Sequence, residues 1–361
     1  MKKIITVLGA RPQFIKAAVL SRLIRSRGDF SEVIVHTGQH YDDNMSEIFF
    51  RELEIPDPTY NLEVNGKAHG AMTGQMMEKL EPVLREEEPD LVVVYGDTNS
   101  TLAGALVARK MNIPVAHIEA GLRSYNMRMP EEVNRILTDR ISDLLFCPTE
   151  QAMRNLEKEG FGGFDLKMIL TGDIMKDSVS FFKKRLGEDA EGLKRLGLEE
   201  GSFVLATIHR QENTESEEQL RSIFNGLESI SADMKVVLPL HPRTRAAMNE
   251  FKIQSSVKCI EPVGYGDMQQ LLHQCVMVVT DSGGLQKEAY FHGKPSLVVR
   301  EETEWLELVE AGLARLVGSD PEKMKASFDA LRTQELDFSR DLYGKEPGTR
   351  IYDEIAAYLK R

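Results

Sequence analysis

The stretch that decides the fold is residues 91–108, LVVVYGDTNSTLAGALVA. Its first residues are apolar with no alternating polar position, the pattern of a parallel strand covered on both faces. Gly96 and Asp97 break the run, and a helical segment rich in small residues follows. Small side chains there imply close packing. Asp97 falls where the strand ends. An aspartate capping the next helix is common, so alone it fits capping as well as chemistry.

The same cadence repeats outward. Apolar runs occur at IITVL (4–8), EVIVH (32–36), VAHIE (115–119), LLFCPT (144–149), MILTGD (168–173), FVLATIHR (203–210), KVVLPLHP (235–242), VKCIEP (257–262), VMVVTDSGG (276–284) and PSLVVR (295–300). Helical patterns such as EEQLRSIFNGLESI lie between them. Alternating β and α predicts doubly wound α/β architecture. A chain of 361 residues exceeds one ordinary core, and the series has two similar halves. Two domains are expected, 1–170 and 171–347, with a terminal helix at about 348–361.

Composition narrows the function. With 42% hydrophobic and 28% charged residues, the chain reads as a soluble globular protein. A net charge of −12 without a basic run argues against nucleic acid. Cys147, Cys259 and Cys275 lack CxxC spacing, which disfavours disulfides and structural zinc and fits the cytoplasm. The apolar run near the N-terminus is too short for a signal segment. No stretch reaches the roughly 20 apolar residues of a membrane span.

Ligands of such sheets bind beyond the carboxyl ends of the strands. Seven ends carry polar or glycine residues: Gly9-Ala10-Arg11, Gly38-Gln39-His40, Gly96-Asp97-Thr98, His117-Ile118-Glu119, Thr207-Ile208-His209-Arg210, His241-Pro242-Arg243 and Asp281-Ser282-Gly283-Gly284. Their recurrence in both halves predicts a ligand cleft between two domains.

DSGGLQKEA (281–289) puts Ser282, Gly283 and Gly284 between a strand and a helix, where small residues and a helix N-terminus suit a pyrophosphate. A capped tight turn explains the same residues equally well. Glu288, one turn on, is placed to accept from ribose hydroxyls. The motif is neither GxxxxGK[ST] nor GxGxxG, so no P-loop and no nicotinamide site is expected. In GARPQFIK (9–16), Arg11 and Lys16 offer charge to a phosphate, against the plainer reading of a strand-to-helix turn with an exposed arginine. HIEAGLRSYNMRMPEEVNR (117–135) gathers Glu119, Glu131 and Glu132 with Arg123, Arg128 and Arg135. Carboxylates brought together raise one another's pKa and supply a proton donor and acceptor near neutrality. Glu132 is read as an acidic residue of a first helical turn, and Arg135 as its partner or that of Glu131. His209 and His241 end strands of the second half. A structural hydrogen-bonding role is the plainer reading of each.

GARPQFIK, TGQHYDDNMS, YGDTNSTLAGALVA, HIEAGLRS, MPEEVNR, LFCPTE, HRQEN, LPLHPRTR and DSGGLQKEA together resemble the non-hydrolysing UDP-N-acetylglucosamine 2-epimerase family over nearly the whole chain. The resemblance implies two Rossmann-like domains of glycosyltransferase-B type, a homodimer, and a terminal helix crossing back to the first domain. It implies a UDP-sugar substrate, with no metal and no cofactor. It assigns proton chemistry to Asp97, Glu119 and Glu131, assistance to His209, and nucleotide binding to Arg11, Lys16, Ser282, Gly283, Gly284 and Glu288. EPVGYGDM (261–268), with Val263, Tyr265 and Met268, matches the uracil-contacting loop. Arg123, Arg128, Arg135, Arg210 and His241 complete the expected binding set.

There are departures. Gln13 stands where the family has glutamate, and Trp305 where an arginine near the phosphates is usual. Asp42 replaces a glutamine that contacts a second, activating UDP-sugar. RPQFIKA, NMRMPEE and TEWLELVEAG look like the subgroup acting on UDP-2,3-diacetamido-2,3-dideoxy-glucuronate, and Arg128 or Arg123 is expected to pair with the carboxylate of that sugar. The rival readings are a glycosyltransferase, a hydrolysing epimerase and a non-catalytic sensor.

Overall fold

The computed structural model describes residues 1–39, 53–185 and 196–360. His40 and Asp42 lie outside them. The chain forms two compact units, Met1–Ser178 with Leu342–Arg361, and Val179–Asp341.

In the first unit the strands are β1 (Lys2–Leu8), β2 (Phe30–His36), β3 (Tyr60–Asn61), β4 (Leu91–Tyr95), β5 (Val115–Ile118), β6 (Leu144–Cys147) and β7 (Lys167–Leu170). Their helices are α1 (Arg11–Arg27), α2 (His69–Glu87), α3 (Asn99–Lys110), α4 (Pro130–Ile141), α5 (Glu150–Lys158) and α6 (Met175–Arg185), the last running through the point of division. The described strands form one sheet in the order β3-β2-β1-β4-β5-β6-β7, every pairing parallel. The second unit holds β8 (Phe203–Thr207), α7 (Gln211–Thr214), α8 (Glu217–Ser231), β9 (Lys235–Pro239), α9 (Pro242–Glu250), β10 (Lys258–Ile260), α10 (Tyr265–Gln274), β11 (Met277–Thr280), α11 (Gly283–Phe291), β12 (Ser296–Val298), α12 (Leu306–Glu310), β13 (Ala314–Leu316) and α13 (Pro321–Thr333). Its sheet runs β10-β9-β8-β11-β12-β13, again all parallel. The doubly wound α/β class read from the sequence is what both units show. In each, strand order reverses between the first strand and the fourth, the point where such sheets open a crevice.

The continuous apolar runs are buried on both faces. Leu91 through Tyr95 are all buried, with Val92 and Val94 in a core shared with Ala103, Ala105, Val107 and Ala108 of α3. In the second unit Val204, Ala206, Val236 and Leu238 pack with Ile223, Phe224 and Leu227 of α8. The edge strands β3 and β13 were not legible in sequence. At two and three residues they are too short to show a period.

The first unit extends past the break set at 170 because its closing segment is tied there. Asp173 N–H donates to Tyr343 O (2.9 Å), Lys176 Nζ to Gly344 O (2.6 Å) and Gly348 N–H to Asp177 Oδ2 (2.7 Å). The terminal helix α14 (Pro347–Leu359) packs on α1, with the Arg27 guanidinium 4.4 Å above the Tyr352 ring and Tyr352 Oη donating to Asp29. No helix among the described residues is long and apolar enough to cross a membrane.

One amide joins the two strand ends at the reversal point. Gln13 is buried, and its Oε1 accepts from Gly9 N–H (2.8 Å) and Ala10 N–H (3.0 Å). Its Nε2 donates to Tyr95 O (2.8 Å) and faces the hydroxyls of Thr98 and Thr101. An amide offers both polarities, and here both are used. Gln13→Leu orphans two buried N–H groups and is expected to cost about 2–4 kcal/mol of first-unit stability. A urea denaturation midpoint unchanged from wild type would contradict this account.

Candidate functional site

In the first unit the expected carboxylates meet at the ends of β4 and β5. Glu119 follows β5 with φ of +73°, a left-handed conformation that costs a non-glycine residue about 1–2 kcal/mol. Its N–H donates to Phe146 O (3.1 Å), and its carboxylate pairs with the Lys16 ammonium from α1. Gly96 makes room for that pair. It has φ of +62°, and a Cβ there would lie 3.2 Å from Glu119 Oε2 and 3.6 Å from Lys16 Nζ.

Asp97 pairs with Arg135 of α4, Nη2 to Oδ2 at 2.7 Å, and its backbone carbonyl accepts from Asn134 Nδ2 (2.9 Å). Burial raises the Asp97 pKa, the Glu119 and Glu131 charges add to the rise, and Arg135 and Lys16 offset part of it; the balance is upward. The buried Nη1 of Arg135 has no hydrogen-bond partner among the described residues.

Beneath this lies a chain of buried charge. His117 Nε2 lies 2.7 Å from Gly96 O, and its Nδ1 lies 2.7 Å from Asp139 Oδ1. Burial alone would raise the Asp139 carboxyl. Its contacts with His117 and Arg123 overcome that and hold it below the usual range.

Here the structure corrects one expectation. Arg123 was expected to bind substrate. Its side chain is fully buried, bidentate to Glu159 (2.7 and 2.8 Å) and bonded to Asp139 (2.7 Å), so it braces the loop. Glu132 lies in the first turn of α4, as read from the sequence. It is buried, accepting from Ser124 N–H (2.9 Å), Ser124 Oγ (3.0 Å) and Tyr125 N–H (2.8 Å), and so pins residues 124–125 to α4. Two adjacent glutamates look alike in sequence, and only the helix phase separates exposed Glu131 from buried Glu132. Arg128 is exposed, and among the described residues its guanidinium makes no ion pair. Arg11 opens α1 at the end of β1.

In the second unit Asp281, fully buried at the end of β11, organises the neighbouring strand end. Its Oδ2 accepts from His209 N–H (2.8 Å), Arg210 N–H (2.9 Å) and Asn213 Nδ2 (3.1 Å). Its Oδ1 faces His209 Nδ1 at 3.3 Å. The capped turn read from the sequence is present, and its cap is Ser282, whose Oγ accepts from Leu285 N–H. Burial pulls the His209 pKa down, Asp281 opposes this, and Arg210 and Arg243 reinforce it, leaving a lowered value. The His209 and His241 rings lie 5.5 Å apart. His241 caps α9 and accepts from Arg243 N–H (3.2 Å).

Gly283 and Gly284 open α11 with their N–H groups in its first turn. Glu288 is buried one turn on, accepting from Gln269 Nε2 (2.9 Å) and Tyr265 Oη (3.4 Å). Val263 and Met268 pack against the core of Leu205, Val237 and Leu285. Trp305 is buried with the Lys287 ammonium 3.8 Å from its ring centre. Among the described residues no group of three or more His, Cys, Asp or Glu side chains is placed to hold a metal ion.

Comparison with known proteins gives a consistent picture. Residues 22–356 match the family model described as UDP-N-acetylglucosamine 2-epimerase. The chain is 50% identical, over 99% of both lengths, to the UDP-2,3-diacetamido-2,3-dideoxy-D-glucuronate 2-epimerase of Pseudomonas aeruginosa. It is similar to the crystal structure of Methanocaldococcus jannaschii UDP-GlcNAc 2-epimerase in complex with UDP-GlcNAc and UDP, with a TM-score of 0.89, 39% identity and 99% of each chain covered. The UDP-GlcNAc 2-epimerase of Neisseria meningitidis bound to UDP-GlcNAc matches with a TM-score of 0.88 and 30% identity, over 99% of this chain and 100% of that one.

The geometry at Asp97 makes its titration testable. A raised folded pKa means the native state holds this proton more tightly than the unfolded chain. The corresponding stability is present below the unfolded value and lost as pH rises through the folded one. Carbon-13 NMR of the Asp97 carboxyl is expected to show a midpoint above 3.8, lowered by Glu119→Gln and raised by Arg135→Met. The opposite order in the two variants would refute the assignment of causes.

Proposed function

The chain belongs to the UDP-N-acetylglucosamine 2-epimerase family and is an isomerase, and from that premise we propose that it inverts C2 of a UDP-N-acetylhexosamine by eliminating UDP and adding it back. The observation that carries the reading is the pair of adjacent strand-end carboxylates, Asp97 and Glu119, each held by a buried cation.

The C2 hydrogen of such a sugar is not acidic, because no carbonyl adjoins C2. As the C1–O bond to UDP stretches, C1 gains oxocarbenium character and the C2 proton becomes removable. A carboxylate takes that proton, the C2–H electrons form the C1–C2 double bond, and the C1–O pair leaves with UDP. A proton delivered to the other face of C2 draws the double-bond electrons back, and a diphosphate oxygen closes on C1. The composition is unchanged and C2 is inverted.

In this reading Asp97, Glu119 and Glu131 share the two proton transfers, since one group must give a proton where another has taken one. The raised pKa of Asp97 suits a donor and the Lys16-paired Glu119 suits an acceptor. Lys16, Arg11 and Arg135 offset the developing diphosphate charge, joined by Arg210 and the opening of α11 at Ser282, Gly283 and Gly284. His209, with its lowered pKa, assists as a neutral imidazole. Glu288 takes the ribose hydroxyls, and Val263, Tyr265 and Met268 flank the base. His241 supports His209. A homodimer working in the cytoplasm belongs to the same reading.

A second reading narrows the substrate to the diacetamido-uronate. It is supported by the 50% identical relative and by Arg128, whose guanidinium makes no ion pair among the described residues while Arg123 is consumed internally. Arg128→Ala is expected to weaken binding of the uronate alone. Equal weakening with the neutral sugar would remove Arg128 from carboxylate recognition.

Proton NMR in deuterated buffer tests the main reading. Incubation with UDP-N-acetylglucosamine, and separately with the uronate analogue, is expected to place deuterium at C2 of the better substrate with UDP retained. Asp97→Asn is expected to slow exchange about 10²–10⁴-fold. Tight UDP binding without exchange from either sugar would favour a transferase or a sensor.

A further inference from the structure

Glu288 is held by a chain of buried groups that sequence reading did not single out. Gln269 of α10 is fully buried and donates from Nε2 to Glu288 Oε2 at 2.9 Å. Its Oε1 lies 2.8 Å from Nε2 of His292, which ends α11 and is also buried. With Glu288 ionised, as its ribose-binding role requires, one arrangement of protons satisfies the chain. A carboxylate only accepts, so the amide must present its N–H groups to Glu288 and its oxygen to His292. His292 Nε2 must then carry the proton and donate.

The surroundings of the ring favour its neutral form. Burial, then the charges of Lys183, His273 and Lys294, hold the His292 pKa at about 3. In this tautomer Nδ1 is a bare acceptor, and it is buried with no hydrogen-bond partner among the described residues. Leaving a buried acceptor unmet is unfavourable, and fixing α10 to α11 does not require it. An apolar pair would join the helices without an orphan atom. What the polar chain adds is direction. It fixes which carboxylate oxygen of Glu288 faces the α10 amide, and so how the carboxylate plane is turned.

We propose that Gln269 and His292 are positioning residues that orient the Glu288 carboxylate toward the ribose hydroxyls of the nucleotide. The inference rests on the reading above that Glu288 binds the ribose. Tyr265 Oη, at 3.4 Å from Oε1, sets the other side of the carboxylate.

Titration calorimetry on the full chain separates this role from helix joining, with UDP and 2′,3′-dideoxy-UDP as probes. Wild type is expected to bind UDP more tightly, and Gln269→Leu and His292→Leu are each expected to weaken UDP about tenfold with little change for the dideoxy probe. His292→Gln keeps an N–H at that position and is expected to recover most of the discrimination. Equal loss for both probes, or equal loss in His292→Gln and His292→Leu, would overturn the positioning role. If wild type itself does not distinguish the probes, the ribose assignment of Glu288 fails and the proposal falls with it. Should Gln269→Leu not fold, the two His292 variants carry the test.

Discussion

A parallel strand covered by helices on both faces can hold a polar side chain along its length only where a buried partner meets it, as Asp139 meets His117 and Thr280 meets Thr207. Leu91–Tyr95 and residues 203–206 are accordingly apolar or aromatic throughout, with most of the chemistry held back to the residues after the strand. The rest of the molecule depends on that restriction. Asp97, Glu119 and His209 all stand at carboxyl ends of strands because there a side chain reaches the surface while its backbone stays fixed, and Asp281 stands buried at another such end. Strand order reverses between β1 and β4 and between β8 and β11, and the polar ends cluster beside both reversals.

Fixing a carboxylate at a strand end requires more than the strand. In each unit a buried acid does it from below. Asp139 receives His117 and Arg123, and Asp281 receives two backbone N–H groups and an asparagine. Removing one partner of such a set costs more than the set contributes, because the remaining charge is stranded. These residues therefore act as framework although they are charged. Arg123 shows the consequence, since all its visible partnerships are internal.

The fold was legible because continuous apolar runs and their spacing are local features of sequence. The site was partly legible for the same reason, as polar residues after apolar runs mark strand ends. What could not be read was direction. Glu131 and Glu132 are neighbours in the chain, yet one is exposed and one is buried, and helix phase relative to the sheet decides which. Arg123 and Arg128 are five positions apart in one loop, and only the loop's path sends the first inward. Gln269 lies within α10 and His292 just past the end of α11, where a polar residue is unremarkable, and their connection to Glu288 exists only in three dimensions.

The first unit is interrupted in sequence by the second. Tyr352 reaches Asp29 and Asp353 reaches Arg27 across more than 300 positions of chain. During synthesis from the N-terminus, α1 emerges long before the helix that covers it. The apolar and aromatic surface around Phe30 stays open until every residue of the second unit has been made. The order of translation thus makes the second unit the earlier one able to complete its own core, although it is encoded later. The first unit is the one that must wait, exposed to wrong partners, for its last helix.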